Sequence, residues 1–202
     1  MTGPHILLSG DTLALGLPHA DMLPEYHRWE NDPGVILGYG TQLPQSWETR
    51  AAGYEGQARG SDRYAQFEVI RIKDEHPIGM TILQVDHQVR TAEYIILLAP
   101  EAHGHATEAT RLTLDWAFHL AALRMVWLKV LAPNTAGRRA YQNAGFRHAG
   151  QLRQSGYWLG QPCDEILMDA TPTDFTGPSA VLALTTRPPA HTPDPDAGQR
   201  QK

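Results

Sequence analysis

The sequence predicts a mixed α/β (α+β) domain. Its core is a mostly antiparallel sheet of six to seven strands flanked by about four helices. Three observations predict it. Apolar runs at Ala65–Ile72, Ile78–Val85 and Thr91–Leu98 are joined by short polar links, which make antiparallel neighbours. A long amphipathic helix follows from about Thr107. The chain then returns to strands on both sides of a shorter helix, a late mixture that implies a sheet packed by helices.

Taken in order, Thr12–Leu17 alternates small residues with Leu and predicts a strand ended by Pro18. His19–Asn31 predicts a helix, stopped by Asp32-Pro33-Gly34. A second helix follows Pro44-Gln-Ser-Trp-Glu, with Ser46 as its N-cap. After the three central strands, Ala109, Leu112, Trp116, Leu120 and Leu123 place one apolar stripe on a helix. Met125–Leu131 is the next strand, broken at Pro133-Asn134. A helix over Thr135–Ala144 ends at Gly145, which tolerates the positive φ of that position. Phe146–Leu152 and Glu165–Met168 are the closing strands, joined around Gly156–Gly160.

The folded domain is expected over 9–170. Residues 171–202 carry Pro172, Pro178, Pro188, Pro189, Pro193 and Pro195 and are expected to be a disordered tail, apart from the short apolar patch Ala180-Val-Leu-Ala-Leu184, which can pack. Net charge is −5, and Lys occurs only at 73, 129 and 202, so no clustered cations track a nucleic-acid backbone. The mild acidity favours cationic partners such as amines. Cys163 is the lone cysteine, and His103-Gly-His105 lacks a third ligand nearby, so neither a disulfide nor a metal site is expected. The apolar run Tyr94–Ala99 is too short to cross a bilayer and no leader pattern opens the chain. A cytoplasmic protein with no membrane partner is the expectation.

The segment His103-Gly-His-Ala-Thr107 lies between a strand end and a helix start. A helix N-terminus carries unpaired N–H groups and about half a positive charge. Gly104 and Ala106 let a diphosphate approach those groups. One Gly rather than three, and antiparallel flanking strands, argue against a dinucleotide fold.

Six stretches resemble the GNAT superfamily of N-acetyltransferases, in particular its RimJ/RimL-like branch. They are Trp29-Glu-Asn-Asp-Pro33, Pro77-Ile-Gly-Met80, Ala92-Glu-Tyr-Ile-Ile-Leu-Leu98, Ala106-Thr-Glu-Ala109, Asn134 to Phe146, and Asp164-Glu-Ile-Leu-Met168. The resemblance covers about 9–170. It implies a GNAT fold splayed at the strands that hold CoA. The activity it implies is acetyl transfer from acetyl-CoA to a primary amine by direct attack, without a metal. The acceptor would be a protein N-terminus, a polyamine or an aminated small molecule such as an antibiotic, and the protein a possible homodimer. The segment from Pro100 to Thr107 departs from the family by two residues. Either Glu101 or His103 takes the place of the family's Arg/Gln, and His103 is electrostatically preferable beside a diphosphate. The departure motivates a rival reading, a non-catalytic acyl-CoA sensor or scaffold.

Acyl transfer needs a neutral amine, although an alkylammonium has a pKa of about 10.4. It also needs a proton for the leaving thiolate. The resemblance implies Tyr141 as the general acid and Glu93 as the base; ordinary core packing for Tyr141 and a solvated carboxylate for Glu93 are the alternatives. The resemblance further implies Leu97, Leu98, His103, Gly104, His105, Ala106, Thr107, Asn134 and Arg138 as cofactor contacts. For Asn134 the alternative is a helix cap, and for Arg138 or Arg139 a solvated side chain. Trp29, Tyr39, Trp47, Tyr157 and Trp158 line an acceptor pocket or belong to the core. Asp164 orients the amine or closes a turn.

Overall fold

The computed structural model describes residues 3–39, 43–58 and 62–186. Eight strands form one sheet in the order β1-β2-β3-β4-β5-β6-β8-β7. They are β1 (Ile6–Ser9), β2 (Leu13–Gly16), β3 (Tyr64–Arg71), β4 (His76–Asp86), β5 (Thr91–Leu98), β6 (Met125–Leu131), β7 (Arg147–Trp158) and β8 (Gln161–Ala170). The α-helices among the described residues are α1 (Leu23–Glu30), α2 (Pro33–Tyr39), α3 (Trp47–Ala58), α4 (Ala106–His119), α5 (Thr135–Ala144) and α6 (Ala180–Thr186). The mixed, mostly antiparallel sheet is therefore as expected, with one or two more strands and two more helices.

Every neighbouring pair is antiparallel except β5 and β6. α4 packs on one face. Its Thr110 and Thr113 hydroxyls meet Tyr94 Oη (3.0 Å) and Thr81 Oγ1 (2.8 Å), and Trp116 packs at a tilt against Phe67. α1 packs on the opposite face, where the Tyr26 hydroxyl donates to the fully buried Glu68 carboxylate. Burial pushes the Glu68 carboxyl above the usual carboxylate range, and hydrogen bonds from Tyr26 and His19 offset part of that rise. Arg50 of α3 locks this layer through Glu30 (2.8 Å) and lies over the Tyr26 ring.

Three elements differ from expectation. Asp32-Pro33-Gly34 ends α1 and also begins α2, because Asp32 Oδ1 accepts from Gly34 N–H (2.9 Å) and Val35 N–H (3.2 Å) and Pro33 suits a first helical position. α4 stops at His119, so Leu120 is exposed rather than part of the stripe. β7 continues past Leu152, because two irregularities in its pairing with β8 let it run on to Trp158.

Of the segment expected to be a disordered tail, residues 171–186 pack on the domain. Asp115 of α4, buried, accepts from Ser179 Oγ (2.6 Å) and Val181 N–H (3.1 Å) and also holds His119 Nδ1 at 2.7 Å. Val181 itself enters the core. Residues 187–202 lie outside the described residues.

Candidate functional site at the gap between β5 and β6

β5 and β6 pair only over Thr91–Glu93 and Met125–Trp127. Beyond that vertex they part, and a cleft of about 1260 Å³ opens between them. Which backbone groups face the gap follows from ladder phase. Ala99 N–H donates to Ile78 C=O (2.9 Å), and hydrogen-bonded pairs alternate along an antiparallel ladder. The backbone groups of Glu93, Ile95 and Leu97 therefore serve β4, while those of Ile96 and Leu98 point into the gap. On the other wall, Ala132 N–H donates to Asp164 C=O (2.8 Å), so Val130 serves β8 and Lys129 and Leu131 face the gap. Two parted strand edges with donors and acceptors unused by the sheet can pair with an extended partner that carries amides.

The cleft ends at the helix start. Ala102 N–H closes a turn on Ala99 C=O, and His105 N–H closes another on Ala102 C=O. Gly104 sits at φ 87°, a conformation that suits glycine. His105 takes the N-cap position without a side-chain cap, leaving the first amides of α4 open. Ala102, His103, Gly104, Ala106 and Thr107 line the cleft. Glu101 does not; it turns to Arg28 at 3.7 Å. Of the two, His103 is the one that lines the cleft at the helix start.

α5 covers the cleft from the α4 side. Asn134 Oδ1 caps it by accepting from Gly137 N–H (2.9 Å), and Asn134 Nδ2 donates to Gly38 C=O of α2 (3.3 Å). Asn134 is therefore a helix cap that also ties α2 to the cleft wall. A Cβ on Gly137 would meet the Asn134 side chain at about 3 Å, so a larger residue there would push against the capping amide. Tyr141 reaches the cleft against Tyr94 and Phe146, with ring centroids at 6.3 and 6.1 Å. Burial pushes its phenol up to about 12. Glu93 lies at the vertex on the opposite face, since Tyr94 beside it points to α4 and side chains alternate. Tyr141 and Glu93 thus face one another only through the gap.

Of the residues singled out from sequence, Glu93, Leu97, Leu98, His103, Gly104, Ala106, Thr107, Asn134 and Tyr141 line the cleft. Two others are placed differently. His105 lies outside it, spent on the cap position. Arg138 turns away to donate to Ala132 C=O (3.2 Å), and its neighbour Arg139 lines the cleft instead, about 100° further round the helix. Leu97 contributes as a buried side chain rather than through its amide, which serves β4. Asp164 closes a bulge, accepting from Gln154 N–H (2.8 Å) and from the Gln151 amide. Of the aromatic set, Tyr157 lines the cleft, Trp29 is core, and the Tyr39 side chain lies outside the described residues. Lys129 and Glu165 also line the cleft and were not anticipated. The available signal for Lys129 was its place as the single charge in the apolar run Met125–Leu131.

Comparison with known proteins gives a consistent result. The family model described as Acetyltransferase (GNAT) domain matches residues 13–147. The spermidine N(1)-acetyltransferase of Escherichia coli (strain K12) is 30% identical over 89 residues, 43% of this chain and 48% of that protein. The probable N-acetyltransferase YjcK of Bacillus subtilis (strain 168) is 27% identical over 117 residues, 54% of this chain and 64% of that protein. The chain thus spans about half the length of the first of these relatives and under two thirds of the second. Among solved structures, spermidine N-acetyltransferase from Vibrio cholerae in complex with CoA and spermine superposes with a TM-score of 0.74 at 20% identity, over 82% of this chain and 98% of that one. The acetyltransferase (GNAT family) from Bacillus anthracis gives 0.69 at 17% identity, over 81% and 97%. At these identities the likeness is one of fold.

Proposed function

The chain belongs to the GNAT acetyltransferase family, and from that premise we propose that it moves an acetyl group from acetyl-CoA to a primary amine by direct attack. The observation that carries this reading is the parted β5/β6 pair with Tyr141 on one face and Glu93 on the other. The residues fit an acyl-CoA arm. Ile96, Leu98, Lys129 and Leu131 offer backbone partners to the amides of a pantetheine, and the open amides of α4, with His103 and Arg139, suit the diphosphate.

In the transfer, the amine nitrogen forms a bond to the thioester carbon and the carbon–sulfur bond breaks. Glu93, directly or through water, takes a proton from the amine. Tyr141 gives its proton to the leaving sulfur. Burial raises the phenol, so it is protonated across the neutral range and its proton is in place when sulfur leaves. Acid and base on opposite sides of the gap match a reaction in which the amine approaches from one side and the thiolate departs on the other.

The motif pattern supports placement in the RimJ/RimL-like branch, while curated relatives named for spermidine support a polyamine among the acceptors. The catalytic unit is proposed as residues 9–170, with 171–186 strapped to α4. A thiol-release screen with acetyl-CoA against amines and short peptides tests the reading. It predicts turnover with at least one amine class. Tight acetyl-CoA binding without turnover across the panel would favour the sensor instead.

A further inference from the structure

The cleft has a second chemistry beside acyl transfer, set by the side chains on the sheet face away from α4. Side-chain alternation puts Glu93, Trp127, Lys129, Leu131 and Glu165 on that face. Glu93 stands beside Trp127, and Glu165 stands beside Leu131. Lys129 lies between those two β6 positions, so each carboxylate stands one strand over and two residues along from it. Lys129 is exposed, Glu93 and Glu165 are half-buried, and all three line the cleft. No ion pair joins any of these three side chains to a described residue. With no partner among the described residues, these charges are left to act on a molecule bound in the cleft.

We infer that Lys129 is a specificity-determining residue of the acceptor mouth, and that it selects an amine carrying a carboxylate over a diamine. The inference rests on the acetyl-transfer reading and names the substrate class of that same site. An ammonium drawn to Glu93 places its own substituent a few bonds away, beside the Lys129 ammonium. A carboxylate there gains an ion-pair partner. A second ammonium there meets a like charge. Exposed pairs of this kind are worth about 0.2–1 kcal/mol, or up to about fivefold each. Attraction of one acceptor and repulsion of the other then compound.

Three acceptors with a shared butyl chain isolate the effect: 4-aminobutanoate, butylamine and 1,4-diaminobutane. The wild-type protein is expected to rank them in that order by kcat/KM. K129M should shrink the ratio of aminobutanoate to diaminobutane by about tenfold, K129E should invert it, and K129R should restore it. Raising ionic strength should shrink the wild-type ratio, since the mouth is open to solvent. A merely structural lysine would leave the ratio in place while altering all three rates together. Turnover with a ratio indifferent to these substitutions, or a wild-type preference for the diamine, overturns the inference alone. If no amine in the wider panel releases thiol, the acetyl-transfer reading falls and the inference with it.

Discussion

The two sides of β5 are built on opposite principles. Toward β4 it pairs along its full length, from Gly79↔Leu98 to Asp86↔Thr91, and the joint is sealed by α4 on one face and α1 on the other. Toward β6 it pairs over Thr91–Glu93 alone. The first side meets its backbone partners within the chain and buries apolar surface. The second leaves its donors and acceptors open. The contrast teaches where stability and function separate in this fold. Substitutions on the sealed side should move stability, and substitutions at the open side should move turnover.

The largest expected effect lies at the open side. Y141F removes the proton donor and should lower kcat by about 10²–10⁴, with the melting temperature almost unchanged, as steady-state kinetics and calorimetry would show. Near-native turnover would reduce Tyr141 to packing. The next effect belongs to the sealed side. D115A strands the donors of Ser179, Val181 and His119 and should cost about 1–3 kcal/mol of unfolding free energy. Chemical denaturation reads that loss, and kcat should stay close to wild type. Asn134 straddles the two regions. N134A removes a helix cap worth about 1 kcal/mol and loosens α2 from the cleft wall. Its KM for acetyl-CoA should therefore rise more than kcat falls.

The smallest effect is one of pH. Glu68 has a folded-state pKa raised by burial, so between its ordinary value of about 4.3 and that raised value the native state holds a proton the unfolded chain lacks. Its contribution to stability is present below that window and is lost as pH rises through it. E68Q keeps an acceptor for the Tyr26 hydroxyl and carries no proton to lose. The decline in melting temperature above about pH 4.3 should be shallower in E68Q than in wild type. An unchanged slope would remove Glu68 from the account.

Much of the framework on both sides was legible in the sequence. Thr91–Leu98, Met125–Leu131 and Thr135–Ala144 have the bounds their patterns predict, because alternation, a terminating Pro133 and the left-handed Gly145 mark them locally. Ile6–Ser9 was not legible: four residues with an irregular pairing carry too little pattern. α2 was hidden because Asp32-Pro33 serves as a stop for one helix and a start for the next. The open side was legible in its motif residues and illegible in its charges. Tyr141, Asn134 and the 103–107 loop sit in recognisable stretches. Lys129 and Glu165 meet only when two strands distant in sequence pair through β6 and β8. Arg139 in place of Arg138 was a matter of helix phase, which spacing alone does not reveal.

The central claim is that the parted backbone edges of β5 and β6 receive the acyl-CoA arm. Amide hydrogen exchange with and without acetyl-CoA tests it at single-residue resolution. The account predicts slower exchange on binding at Ile96 and Leu98 in β5 and at Lys129 and Leu131 in β6, with Leu97, already paired to β4, unchanged. Binding that leaves both strand edges unprotected, or that protects Leu97 as much as Leu98, would contradict it.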